Sequence, residues 1–214
     1  GHQAAGQHGR TPAEQGDGTN HMVYGDGIAV LAGDGLLNLA YEIMLSHALS
    51  EPDPKPALAA MHEIAQAAGI NGMIGGQTAD LMNEGLTVSG DLLHYIHRHK
   101  TGCLLAASLT AGAYAAGADR LTAEKLKQVG FSLGLAFQIQ DDLLDLDGNA
   151  DELGKPVGSD LKNEKATYPA LYGEAASRDK AASLTREAMD ILEDFGSAAD
   201  FLISLSAYLI SRRS

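Results

Sequence analysis

Phe137-Gln138-Ile139-Gln140-Asp141-Asp142-Leu143-Leu144-Asp145-Leu146 closes a run from Leu126 whose spacing decides the fold. Gly134, Gln138, Asp141 and Asp145 stand at i, i+4, i+7 and i+11, which on an α-helix is one stripe, with Asp142 beside it. Val129, Leu133, Leu135, Phe137, Ile139, Leu143 and Leu144 cover the remaining faces. A helix of that kind is expected at the centre of a bundle, its polar stripe turned to a cavity between helices. The three aspartates fall near the helix C-terminus, where the macrodipole disfavours an anion by roughly 0.3–1 kcal/mol. They also repel one another. Cations relieve both conflicts, and Mg2+ takes one or two carboxylates, completing its shell with water and phosphate oxygens. Gly154-Lys155-Pro156, Gly158-Ser159-Asp160 and Lys165 follow in a Gly/Pro-punctuated stretch that offers ammonium groups to phosphate. Asp141, Asp142 and Asp145 are therefore candidate magnesium ligands, and Lys155 and Lys165 candidate contacts to a phosphorylated ligand.

The same helical spacing recurs on either side. Between Ile28 and Ala48, Leu31, Leu36, Leu39, Ala40, Ile43 and Met44 predict one helix or two shorter ones, apolar round most of the circumference and hence buried. Pro52, Pro54 and Pro56 mark a break, and Pro56 suits the first turn of a helix ending at Ala68. Gly69 to Gly76 reads as a hinge in which Gly75-Gly76 breaks the helix. No Gly-Lys-Ser/Thr follows it, which argues against a phosphate loop. Ser89 predicts the cap of a helix ending near Lys100, Gly102 to Gly117 another apolar helix, and Thr122 the cap of the central one. A polar loop is expected from about Asp147 to Lys165, then two amphipathic helices around 181–195 and 198–211. No Val/Thr/Tyr alternation and no Asn-Gly turn marks a strand. The expected architecture is a single all-α domain over residues 19–214, preceded by an irregular, Gly-, Gln- and His-rich segment over 1–18.

A formal net charge of −13 on 214 residues argues against nucleic acid, whose backbone needs a clustered basic face. Aromatic residues make up only 5% of the chain and Trp is absent, so the core is expected to pack through aliphatic side chains. Cys103 is the single cysteine and sits in an apolar run, which points to a buried, inert thiol and a reducing compartment. The best membrane-spanning candidate, Gly102 to Ala118, is interrupted by Ser108, Thr110, Gly112 and Gly117, so no membrane insertion is expected. With a polar N-terminus, a cytoplasmic location is expected. His94, His97 and His99 lack a second ligand group at zinc spacing.

These motifs resemble the trans-polyprenyl diphosphate synthases, the farnesyl and geranylgeranyl diphosphate synthases and their relatives. Phe137 to Asp145, Gly154 to Asp160 and Lys165-Ala166-Thr167-Tyr168-Pro169 are similar to the family's second aspartate-rich region. The similarity extends to Gly33-Asp34 with Leu36-Leu37, to Gly75-Gly76-Gln77 with Asp80, and to Ile96-His97-Arg98-His99-Lys100-Thr101-Gly102. It implies an all-α bundle of the isoprenoid synthase type. It also implies a magnesium-dependent prenyltransferase that joins an allylic diphosphate to isopentenyl diphosphate, usually as a homodimer. Carried over, Asp141 is the main metal ligand with Asp142 and Asp145 assisting. Lys100, Lys155 and Lys165 contact the departing diphosphate, and Thr101 and Gln138 sit beside the cationic carbon. In the family a first aspartate-rich motif lies upstream of Arg-Arg-Gly-x-Pro-Thr-x-His. Here Thr19-Asn20-His21 match the end of that segment, the arginine pair falls on Glu14 and Gln15, and the aspartates fall near Arg10 to Ala13. The chain is thus expected to be an N-terminally incomplete synthase or, as the alternative, a non-catalytic partner subunit of a complete one. A terpene cyclase, which shares the bundle, carries an Asn-Asp-x-x-Ser-x-x-x-Glu type second motif that Asp141-Asp142-x-x-Asp145 does not match.

Overall fold

The computed structural model describes residues 19–147 and 166–211, and among them every regular element is helical. The chain forms two compact units, Gly1–Pro54 and Lys55–Ser214. In the first, α1 (Asn20–Tyr24) and α2 (Asp26–Ser50) are joined by Gly25, whose φ of 83° lies in the left-handed region that glycine enters without steric cost. Gly33 and Gly35 do not divide α2, so one long helix stands where one or two were expected. Its apolar side chains are not buried as expected. Leu36 is 70% exposed and Leu49 86%, and Ala48 alone is buried. A helix apolar on every side has no single face to bury, and α1 is the only other described helix of its unit. By length and composition α2, rather than the 102–118 segment, is the one helix among the described residues able to span a bilayer. Asp34 lies inside it, where a charge is costly in hydrocarbon.

The second unit runs through α3 (Lys55–Ala68), α4 (Met73–Met82), α5 (Gly90–His97), a π-helical turn (Arg98–Gly102) and α6 (Cys103–Ala115). It continues with α7 (Arg120–Asp147), α8 (Tyr168–Tyr172), α9 (Glu174–Glu193), a 3-10 turn (Gly196–Ala199) and α10 (Asp200–Ser211). α7 is central, as its apolar faces require. Leu135, Ala136, Ile139 and Leu143 pack on Ala181 and Leu184 of α9 with the Tyr168 ring against them. Further up, Val129 and Leu133 pack on Ala188, Leu192 and Ala199. The other flank of α7 meets α6, which in turn packs on α3. There Gly130 and Gly134 stand so close to the backbones of Ala106 and Gly102 that a Cβ at either position would overlap them.

Local expectations fail where distant contacts decide. Ser89 does cap α5, its Oγ accepting from the Leu92 N–H at 3.2 Å, yet the helix does not stop at Lys100. It runs on through the π turn into α6, because Gly102 serves close packing on Gly134 rather than termination. Gly75 and Gly76 are not a break but lie inside α4. A Cβ on Gly76 would collide with the Lys100 backbone nitrogen, so these glycines let α4 approach the π turn. The cap of α7 is Asp119, whose Oδ1 accepts from the Thr122 N–H at 2.8 Å, and not Thr122 itself. That hydrogen bond holds the Asp119 carboxyl below its usual range. α8 was not expected. Thr167 caps it by accepting from the Ala170 N–H, and Pro169 occupies its first turn.

Candidate active site

Four elements of the second unit converge on the lower half of α7. The π turn carries Lys100 and Thr101, and inserting an extra residue in the turn sets their side chains off the regular helical register. Thr101 Oγ1 donates to Gln138 Oε1, so the turn is fastened to the polar stripe of α7. Lys100 Nζ is held by Asp80 Oδ2 of α4 at 2.6 Å, with both side chains about a third exposed. The cation therefore sits at the rim rather than in the core. Asp142 Oδ2 accepts from the backbone N–H of Tyr168 at 2.8 Å, which docks the start of α8 against the acidic end of α7. His97 Nε2 lies 3.7 Å from the same oxygen.

Burial grades the three carboxylates. Asp141 and Asp142 are half-buried, whereas Asp145 is 1% exposed. Half-buried oxygen donors on successive residues suit an ion that takes one or two carboxylates and draws its other ligands from water and phosphate. Among the described residues no three His, Cys, Asp or Glu side chains come together as a complete metal cage. Asp141, Asp142 and Asp145 of α7 do not close such a cage by themselves. His99 Nδ1 pairs with the Tyr95 carbonyl at 2.8 Å. Arg98, from the same motif, lays its guanidinium over the Phe131 ring at 3.6 Å, on the wall of a cavity of about 600 Å³ beside the first half of α7 that the site residues do not line. Cys103 is half-buried, and burial raises its thiol above the ordinary value, which suits an inert role.

His97 is a strongly perturbed group beside the site. It is 6% exposed, and burial lowers its pKa to about 4 against a smaller opposing pull from Asp80, so the ring is neutral at pH 7. Its Nδ1 has no hydrogen-bond partner among the described residues.

Of the residues singled out in the sequence, the structure joins Thr101 to Gln138, with Lys100 on the same turn as Thr101 and Asp141, Asp142 and Asp145 on the same helix as Gln138. Lys155 and Lys165 lie outside the described residues. Two neighbours gained no role from the sequence. Asp80 was visible only as the end of Gly75-Gly76-Gln77-x-x-Asp80. Its pairing with Lys100 follows from Gly76, one turn earlier, letting the Lys100 backbone come close. His97 was weighed as a metal ligand, and its burial beside Asp142 carries no local signal.

The profile of the family described as polyprenyl synthetase matches residues 15–200. The chain is 46% identical over 168 residues to the farnesyl diphosphate synthase of Geobacillus stearothermophilus, an alignment that covers 78% of this chain and 57% of that protein. The fold is similar to the FPP/GFPP synthase of Zymomonas mobilis in its apo structure, with a TM-score of 0.78, 36% identity, and 91% and 65% of the two chains covered. It is also similar to the geranyltransferase of Helicobacter pylori complexed with magnesium and isoprenyl diphosphate, with a TM-score of 0.72, 30% identity, and 90% and 62% covered. The chain spans a little over half the length of the curated relatives it matches.

Proposed function

The chain belongs to the polyprenyl synthetase family, and from that premise we propose that it acts as a prenyltransferase, elongating an allylic diphosphate with isopentenyl diphosphate. The observation that carries this is the fastening of the Lys100-Thr101 turn to Gln138, one turn before Asp141 and Asp142 on the same helix. It brings the turn that carries Lys100 and Thr101 against the helix that carries Gln138 and the paired carboxylates. In the reaction the carbon–oxygen bond of the allylic diphosphate breaks and pyrophosphate leaves. The double bond of isopentenyl diphosphate then forms the new carbon–carbon bond, and a proton is lost. Asp141 and Asp142 would hold divalent ions, with Asp145 supporting them from its buried position. Magnesium, when bound, neutralises charge developing on the leaving pyrophosphate. Lys100 contacts phosphate oxygens directly, Lys155 and Lys165 are assigned the same task, and the oxygens of Thr101 and Gln138 face developing positive charge without attacking it. The Leu- and Ala-rich walls of α6 and α7 exclude water that would otherwise quench the cation.

Incubating the full chain with dimethylallyl, geranyl or farnesyl diphosphate, labelled isopentenyl diphosphate and Mg2+ tests the activity. A product one isoprene unit longer, lost when the metal is chelated, is expected. No product with any of the three counts against catalysis by this chain. Assembly as a homodimer is part of the same proposal, supported by the exposed apolar side chains of α2. Light scattering that reports a monomer at micromolar concentration would remove it.

A further inference from the structure

We propose that His97 is a positioning residue: its ring presents Nε2–H to Asp142 Oδ2 and, together with the Tyr168 backbone N–H, holds that carboxylate in the orientation used for a divalent ion. This rests on the assignment of Asp142 to the metal end of the site made above. The tautomer follows from the surroundings. Nε2 carries a hydrogen in the doubly protonated ring and in one of the two singly protonated tautomers, and the surroundings disfavour the other. With the proton on Nδ1, a buried donor would have no acceptor among the described residues, and the Nε2 lone pair would face a carboxylate oxygen 3.7 Å away. With the proton on Nε2, the hydrogen faces the carboxylate and only an acceptor is left unmatched, the lesser of the two costs. At 3.7 Å the contact is electrostatic rather than a full hydrogen bond, and the second donor, Tyr168 N at 2.8 Å, supplies the short one.

A packing role alone does not account for an imidazole here. The side chain is 6% exposed with an unmatched nitrogen, and a phenyl ring fills similar space without burying polar atoms. What imidazole adds is a donor aimed at Asp142 from the turn of helix that precedes Lys100 and Thr101. Through His97, the turn that carries the cation and the oxygen tied to Gln138 is set against the carboxylate end of α7. Asp142 in turn receives donors from both the π-turn side and the α8 side.

Two measurements on the full chain test this. Long-range 1H–15N spectra of the unmodified protein are expected to show His97 protonated on Nε2, with that resonance moved in Asp142→Asn. A proton on Nδ1 overturns the proposal whatever the variants do. Calorimetry of Mg2+ uptake with inorganic pyrophosphate then compares His97→Phe, which keeps the ring and loses the donor, with His97→Gln, which returns an amide N–H near the place of Nε2. His97→Phe is expected to weaken uptake about tenfold, and His97→Gln to recover it to within about threefold of the unmodified protein. Equal uptake in all three makes His97 a packing residue, and equal loss in both variants removes the donor role. If Asp141→Ala abolishes uptake while His97→Phe does not, this inference alone falls. If the unmodified protein takes up no metal with pyrophosphate, the site assignment falls with it.

Discussion

In the proposed reaction, Lys100 is the side chain among the described residues assigned to the phosphate. Its ammonium is pinned 2.6 Å from Asp80, so it is already oriented, yet the pair is partly exposed and contributes at most about 1 kcal/mol to stability. A charge-assisted hydrogen bond to a phosphate oxygen is worth about 1.5–3 kcal/mol. Lys100→Met should therefore raise KM for the allylic diphosphate about tenfold or more while the melting temperature changes little. An unchanged KM in steady-state kinetics would take Lys100 out of the site. None of this pairing was visible locally, because Asp80 and Lys100 are 20 positions apart and meet through a glycine that reads as a helix breaker. Asp141, Asp142 and Gln138 were visible, since helical spacing alone lines them up.

α7 shows where helical spacing suffices and where it does not. Its length, its central place and its polar stripe all follow from an apolar pattern that covers every other face. Its seam with α6 follows from glycines instead. Gly130 leaves no room for a Cβ against the backbone of Ala106, and backbone cannot yield as a side-chain tip does. Gly130→Ala should cost about 1–3 kcal/mol by overpacking, even though alanine is intrinsically the better helix former. Chemical denaturation reads this as a lower midpoint with an unchanged slope. A midpoint that rises would mean the two helices do not meet at this residue. α2 makes the opposite point: its sequence reads as buried, and its side chains are exposed, because an apolar composition states a need for cover without naming what supplies it.

Across the fold, the α-helical class and the polar stripe were legible in the sequence, while the π turn and the place of His97 were set by contacts between distant segments; the cap of α7 is local, Asp119 accepting from Thr122 three residues on. His97 also gives the second unit a pH dependence. Its pKa is about 4 in the fold against 6.5 when exposed, so between those values the unfolded chain binds the additional proton and stability falls as the pH drops. Above the exposed value this group adds nothing. Between pH 7.5 and 5 the loss should be about 2 kcal/mol, and His97→Gln, which does not titrate, should escape it. Denaturant midpoints measured at both pH values would show parallel changes in the two proteins if His97 were not buried and neutral.

Everything turns on whether the acidic end of α7 takes up a diphosphate through divalent ions. Isothermal titration of farnesyl diphosphate into the unmodified chain and into Asp141→Ala, each with Mg2+ and with chelator, decides it. Binding that needs Mg2+ and is weakened at least about a hundredfold in Asp141→Ala, with the helical circular dichroism unchanged, is the expected result. Affinity that is the same with and without metal, or the same in both proteins, would contradict it.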